Sequence, residues 1–157
     1  MKFCPSQNNI ARVSGITLIE LILVVVIISI LAMVAIPTYR DILKNNEMTT
    51  AKTDILNIEL RVQRFFTQER RFPVDAAELG GLPDDPWGNP YVYLNIGIQN
   101  GVGQLRKDKN LVPINTDYDL YSKGPDGRSV SPLTAQSSRD DIIRANNGAY
   151  IGEAEDY

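Results

Sequence analysis

A continuous apolar run dominates the N-terminal part of the chain. Residues 16–36 are polar only at Thr17, Glu20 and Ser29, and only Glu20 is charged. At about 1.5 Å of rise per residue, a helix of this length spans roughly 30 Å, the thickness of a bilayer core. A helix that is apolar on every side over this distance is rarely the core helix of a soluble protein. The run therefore predicts a membrane-spanning helix.

From residue 38 to about residue 70, the apolar positions become periodic, with the spacing of one helix face. The residues that recur at intervals of three and four are Ile55, Ile58, Val62, and Phe65 or Phe66. Pro37 lies where the two patterns meet and has no amide hydrogen, so we expect a kink or local loosening there and not an end. The pattern predicts one long helix whose second half needs another layer to cover its apolar stripe.

Beyond this helix, the pattern predicts a small antiparallel sheet. The predicted strands are residues 91–96, 104–107 and 118–121. A short helix is predicted at residues 75–79, with Asp75 as its N-cap. From residue 124 onward turn-forming residues dominate, so the tail is predicted to be mostly a long loop. The fold class is α+β, with a long N-terminal helix packed on a small sheet and followed by a long C-terminal loop.

Composition excludes several classes of function. The net charge is −3, from 16 basic and 19 acidic residues, which gives no basic surface for nucleic acid. The chain has no histidine, and Cys4 is its one cysteine. Histidine-dependent catalysis, disulfides within the chain and cysteine-based zinc sites are therefore excluded.

The charges before the apolar run predict its orientation. Residues 1–15 contain Lys2 and Arg12 and no acid. Positively charged flanks of a membrane helix stay in the cytoplasm, so the segment after the apolar run is expected on the other side of the membrane. An ordinary signal anchor would have the same arrangement.

Glu20 is the unusual residue of the apolar run, because a carboxylate in a membrane helix costs on the order of 2.5–3.5 kcal/mol. If the chain were cut after Gly15, Ile16 would have a new α-amine four residues from Glu20, on the same helix face. That amine could neutralise Glu20 in its own chain or in a neighbour. Alternatively, Glu20 lies close enough to the interface to stay hydrated.

Gly15-Ile16-Thr17-Leu18-Ile19-Glu20 resembles the prepilin cleavage motif of the type IV pilin-like superfamily, and Pro37 matches the family's proline. Family members usually have Phe at the position of Ile16. The resemblance implies that a prepilin peptidase cuts after Gly15 and N-methylates Ile16. It also implies that Glu20 pairs with the N-terminus of an adjacent subunit during assembly.

The same resemblance implies three segments. Residues 1–15 would be a cleaved cytoplasmic leader, residues 16–37 a transmembrane and polymerisation helix, and residues 38–157 a periplasmic globular domain.

Two C-terminal segments narrow the resemblance. Residues 84–91 resemble the DPWGNPY segment of major pseudopilins of the bacterial type II secretion system, and residues 118–127 resemble their D-x-Y-S-x-G-x-D-G segment. In that family the C-terminal loop binds calcium. The calcium ligands implied by position are Asp126, Asp140, the backbone carbonyl of Lys123, and Asp141 as a substitute for Asp140 or an addition to it.

Without the resemblance, the residues do not decide between a calcium site and ordinary turn residues. Calcium takes six to eight oxygen ligands, of which two acids and a Gly-rich turn supply part. Without the resemblance, Asp126 and Asp140 are better explained as turn and cap residues. The segment between them is also longer than is usual in the family.

The resemblance implies a structural subunit, not an enzyme, of a periplasmic pseudopilus that drives protein export through the outer membrane. Its implied partners are further copies of itself, minor pseudopilins, the prepilin peptidase, the inner-membrane assembly platform and the inner membrane. A pilin of a type IV pilus for adhesion, motility or DNA uptake is one alternative, although such pilins usually have a C-terminal disulfide. A membrane-anchored periplasmic hydrolase using Asp84 and Asp85, or Asp117 and Asp119, is another.

Overall fold

The computed structural model describes residues 15–157. Of the predicted leader, only Gly15 therefore lies within the described residues. The chain divides into two compact units, Met1–Asp41 and Ile42–Tyr157.

The first element is a single long helix, α1, at Leu18–Glu69. It continues through Pro37, as the sequence predicts. The large apolar side chains of its first part are exposed, and within residues 15–157 α1 is the one helix long and apolar enough to cross a membrane.

The second half of α1 packs through the predicted stripe. Its buried residues are Ala51, Ile55, Ile58 and Val62. Burying an aliphatic side chain of this size contributes about 1.5–3 kcal/mol, so the stripe holds the helix on the sheet. Near the end of α1, Phe66 stacks on Phe72 with ring centroids 4.6 Å apart.

The sheet has four antiparallel strands in the order β1-β2-β3-β4. They are β1 at Val92–Asn95, β2 at Tyr118–Ser122, β3 at Ile142–Ala145 and β4 at Tyr150–Glu153. The residues that fix the register are Val92 opposite Tyr121, Tyr121 opposite Ile143, and Ile143 opposite Gly152.

The sheet differs from the prediction in two respects. Residues 104–107 form no strand, since only an isolated bridge pairs Lys107 with Pro132. The tail, predicted to be mostly loop, also supplies two strands that were not predicted, β3 and β4. Each of these strands has only 4 residues, which is too few to stand out among turn-forming neighbours.

The remaining helical turns are short. They are 3₁₀ helices at Ala76–Leu79, Ile96–Ile98, Gln136–Ser138, Asn146–Gly148 and Ala154–Asp156. The first confirms the predicted short helix, and Asp75 caps it by accepting hydrogen bonds from the amides of Ala77 (2.9 Å) and Glu78 (3.3 Å).

The sheet is buried on both faces. The face toward α1 packs into a cluster of Ala51, Ile55, Ile58, Val62, Tyr91, Tyr93, Tyr118, Leu120 and Ile142. The other face, covered by loops, contributes to a cluster of Ile114, Leu133, Ile143, Ala145 and Ala154. Because side chains alternate along a strand, the neighbours Ile142 and Ile143 lie on opposite faces.

Candidate functional site

The N-terminal candidate residues lie at the start of α1. The hydroxyl oxygen of Thr17 accepts a hydrogen bond from the amide of Glu20 at 3.3 Å. Thr17 thus caps the helix, and Thr17 and Glu20 have the spacing of a capping box. A carboxylate in the first turn is also favoured by the helix dipole. The sequence analysis considered Glu20 as an ion-pair partner or as a hydrated residue near the interface, and it missed the helix cap, although the Thr-x-x-Glu spacing is visible in the sequence.

Gly15 has open surroundings. A Cβ built on it meets nothing within 4 Å, and its φ lies outside the left-handed region. Ile16 is 78% exposed. Within the described residues, the fold therefore gives no reason for glycine at position 15.

The structure brings two of the four predicted calcium ligands together. The amide nitrogen of Asp126 lies 3.4 Å from Oδ2 of Asp140. Gly124 has a φ of +64°, and a Cβ there would lie 2.2 Å from the carbonyl oxygen of Asp140. Only glycine fits this close approach. Lys123 directly precedes it, so its carbonyl belongs to the same turn.

The two segments that resemble major pseudopilins contact each other here. Oδ1 of Asp85 accepts hydrogen bonds from the amides of Trp87 (3.1 Å) and Asn89 (2.8 Å). Its Oδ2 accepts one from the hydroxyl of Ser122. The side-chain amide of Asn89 donates to the carbonyl of Gly124 at 3.0 Å. The first segment thus holds the turn that contains Asp126.

Asp141 does not join this group. Its carboxylate is fully buried and accepts hydrogen bonds from the guanidinium of Arg106 and the hydroxyl of Ser129. Burial raises the pKa of Asp141 to about 6, against the opposing effect of Arg106. Asp140 instead lines a small cavity together with Ile142. Adjacent residues entering a strand point to opposite faces, which separates Asp140 from Asp141.

The fit to a metal ion is therefore partial. No group of three or more acidic, cysteine or histidine side chains that could hold a metal is present within residues 15–157. Asp126 and Asp140 are oxygen donors of the kind that calcium prefers, and further ligands would have to be carbonyls or water.

Arg144 links α1 to the sheet and was missed by sequence reasoning. Its guanidinium donates to Glu59 at 2.9 Å and to Asp117 at 2.8 Å, and it lies 4.0 Å from the ring centroid of Tyr118. No local pattern in the sequence distinguishes Arg144 from an exposed arginine, because its partners Glu59 and Asp117 are distant along the chain.

Three of the four acids of the hydrolase alternative are engaged in structural contacts, and the fourth, Asp84, is exposed. Asp85 holds the turn described above, and Asp117 pairs with Arg144. Asp119 accepts hydrogen bonds from the amide of Arg106 (2.8 Å) and the side chain of Asn115 (2.9 Å). Burial raises the pKa of Asp119, against these hydrogen bonds.

Comparison with known proteins finds several relatives with the same name. No protein-family model and no solved structure matches the chain. The type II secretion system core protein G of Pseudomonas aeruginosa is 30% identical over 137 residues, which cover 73% of this chain and 85% of that protein. The protein of the same name from Aeromonas hydrophila is 29% identical over 140 residues, covering 75% and 87%.

A pilin is also similar to part of the chain. The type IV major pilin protein PilA of Myxococcus xanthus is 38% identical over 82 residues, which cover 52% of this chain and 36% of that pilin. The matches to the core protein G relatives cover most of this chain and most of each relative. This agrees with the resemblance of residues 84–91 and 118–127 to major pseudopilins. The chain belongs to the family of type II secretion system core protein G.

Proposed function

We propose that this chain is a structural subunit of a type II secretion pseudopilus, a periplasmic filament that polymerises from the inner membrane and drives protein export through the outer membrane. The family membership is the observation on which the proposal rests. The chain crosses the membrane once, with its N-terminus cytoplasmic and its C-terminal unit periplasmic. Its partners are further copies of itself, minor pseudopilins, the prepilin peptidase and the inner-membrane assembly platform.

The apolar half of α1 supports a filament role. Its side chains are exposed from Ile16 to Val34 with little interruption. Such a surface must be covered by lipid before assembly and by neighbouring helices afterwards. Cleavage after Gly15 converts the precursor into a subunit whose Ile16 amine is N-methylated and pairs with Glu20 of an adjacent copy.

The proposed role is structural and not catalytic. Of the four candidate catalytic acids, Asp85, Asp117 and Asp119 are engaged in contacts that hold turns or strands, so neither proposed pair consists of two free carboxylates. Carboxylates that hold turns and strands in this way support a structural role.

A calcium ion belongs to the proposal as a structural cofactor. Asp126 and Asp140 would hold it, together with the carbonyl of Lys123. When bound, calcium neutralises the two carboxylates and cross-links the ends of the segment between them. Asp141 is left out of this proposed ligand set, because its buried carboxylate already pairs with Arg106 and Ser129 through Oδ2.

A type IV pilus pilin remains the second candidate. The similarity to the Myxococcus xanthus pilin favours it, although that match covers about half of this chain. The chain also lacks the cysteine pair of a C-terminal disulfide.

Glu20 provides the test of polymerisation. The chain is produced with a prepilin peptidase, and filament yield is measured by electron microscopy and by the fraction that sediments. We expect both Glu20→Ala and Glu20→Gln to be inserted and cleaved normally but to yield few filaments. The glutamine variant is the matched control, because it can still cap the helix but has no charge.

Each outcome has a distinct meaning. Loss of filaments in both variants supports pairing between the Glu20 charge and a neighbouring amine. Wild-type yield from Glu20→Gln, with loss only in Glu20→Ala, would reduce Glu20 to a helix cap. If the wild-type chain forms no filaments under any of these conditions, the structural role itself fails.

A further inference from the structure

Arg106 is the centre of a buried polar cluster on the sheet face that the loops cover. Its side chain is 3% exposed and that of Asp141 is 0% exposed. One terminal guanidinium nitrogen donates to Asp141, and the other donates to the hydroxyl of Ser129 and the carbonyl of Val130, both at 2.6 Å. The guanidinium also lies 4.2 Å from the ring centroid of Tyr121. This one side chain thus joins β2, the start of β3 and the long C-terminal loop.

The backbone around Arg106 fixes it in this position. Its amide donates to Oδ2 of Asp119 at 2.8 Å. Next to it, the amide of Lys107 donates to the carbonyl of Ser131 at 3.1 Å, and the carbonyl of Lys107 accepts from Leu133 at 2.9 Å. The segment that carries Arg106 is therefore attached directly to the loop that precedes Asp141.

We propose that Arg106 is an internal cation that closes the C-terminal loop on the sheet, so that Asp141 needs no metal ion. A fully buried carboxylate is strongly unfavourable unless an opposite charge and hydrogen bonds compensate it. Arg106 supplies the charge, and Arg106 and Ser129 together supply two hydrogen bonds to Oδ2 of Asp141. Within the described residues, Oδ1 of Asp141 and Nε of Arg106 are buried without a hydrogen-bond partner, so the opposite charge is the main compensation. A divalent cation at the same carboxylate would be repelled by the guanidinium, since both are positive.

Besides its backbone hydrogen bonds to Lys107, the loop between Asp126 and Asp141 has two attachments that involve carboxylates. The outer one is the turn where Asp126 meets Asp140, which is the proposed calcium position. The inner one is the pair of Arg106 and Asp141 on the opposite face of the sheet. The inner attachment holds in the absence of calcium and does not depend on the proposed secretion role.

The proposal is tested by a double-mutant cycle with the full chain in detergent micelles containing EGTA. The variants are Arg106→Met, Asp141→Leu and the two combined, because methionine and leucine replace the charged groups by apolar ones of similar size. Unfolding is followed by the fluorescence of Trp87, the only tryptophan in the chain. Thermal midpoints are compared, and magnesium and calcium are left out.

Each single substitution leaves the other charge buried and unpaired. We expect each to lower the melting temperature by roughly 10 °C. The double variant should lose much less than the sum, because an apolar pair replaces a buried ion pair at little cost. The matched control combines Arg106→Met with Asp126→Asn, and these effects should add, since Asp126 belongs to the outer attachment.

Outcomes in EGTA decide the proposal even if a single variant fails to fold. A double variant that melts near the wild-type temperature supports it. Additive losses for Arg106 and Asp141 would overturn it, as would a double variant that fails to fold. If calcium stabilises the wild type, the double variant should keep the same increase in melting temperature. Loss of that increase would make Asp141 a calcium ligand and would also overturn the proposal.

Discussion

At the scale of single residues, Gly15 and Gly124 have contrasting surroundings. A side chain at position 15 would meet nothing within 4 Å, whereas one at position 124 would meet the carbonyl of Asp140 at 2.2 Å. Gly124 also has a φ of +64°, where a Cβ is unfavourable. The folded chain therefore requires glycine at position 124, whereas the fold gives no reason for glycine at position 15, the proposed cleavage site.

This contrast predicts opposite behaviour for two substitutions. Gly15→Leu should block cleavage, because a bulky side chain prevents close approach of the peptidase, and it should leave the melting of the C-terminal unit unchanged. Gly124→Ala should be cleaved normally and lose at least about 1–3 kcal/mol of stability, because the clash of its Cβ with the carbonyl of Asp140 adds to the backbone strain. Mass spectrometry measures the mature N-terminus, and Trp87 fluorescence measures unfolding. A Gly15→Leu chain that matures to Ile16 would contradict the proposed processing site.

At the scale of elements, α1 presents two different surfaces in its second half. Ile58 is 2% exposed and packs on the sheet, while Leu60 is 57% exposed. The two residues are nearly the same size and lie two positions apart on one helix. Comparing them separates packing within the subunit from contacts that form only on assembly.

We expect Ile58→Ala to destabilise the isolated chain by about 2–5 kcal/mol, because it leaves a cavity under the helix. Leu60→Ala should change its stability by less than about 0.5 kcal/mol, since the side chain is exposed. Urea unfolding in detergent, followed by Trp87 fluorescence, measures both. Equal losses in the two variants would mean that the buried stripe has been assigned to the wrong helix face.

Periodicity explains which elements could be predicted. The stripe of α1 repeats over several turns, and the aromatic strand segments at β1 and β2 stand between clear turn residues. β3 and β4 escaped prediction because four residues do not establish a period, and Arg144 interrupts the apolar pattern of β3. The short helix was predictable from Asp75 because an N-cap acts within a few residues of the chain.

The candidate site could be predicted only where its contacts are local or shared with a family. Gly15, Glu20 and Asp126 stand in short motifs that the sequence displays. The pairing of Arg106 with Asp141 depends on where β3 begins and on how two distant loops meet. No local pattern encodes that meeting, so Asp141 was grouped with Asp140 and not with Arg106.

At the scale of the whole molecule, the proposed calcium position lies close to Trp87, whose fluorescence can report on metal binding. Trp87 lines a cavity of about 60 Å³ together with Pro125 and Asp140. Its indole nitrogen also donates to Glu47 of α1 at 3.0 Å. A metal that orders the turn from Asp126 to Asp140 should therefore change the surroundings of this tryptophan.

We predict that calcium raises the melting temperature of the full chain in detergent and shifts the fluorescence of Trp87. A ligand that binds only the folded state stabilises it by about 2.7 kcal/mol at a hundredfold excess over Kd. Asp126→Ala should remove this response and change little in EGTA. Asp156→Asn, which alters an exposed acid elsewhere in the same unit, is the control and should respond like the wild type.

The same melting experiment also tests which ion is bound and whether Asp126 and Asp140 bind it. Magnesium should substitute poorly, because it demands strict octahedral geometry that a turn with two carboxylates and carbonyls does not readily supply. If wild type melts at the same temperature in calcium and in EGTA, the metal proposal is wrong, while family and fold are unaffected. In that case Asp126 and Asp140 are turn residues, and the loop is held by the buried cation of Arg106 without a metal ion.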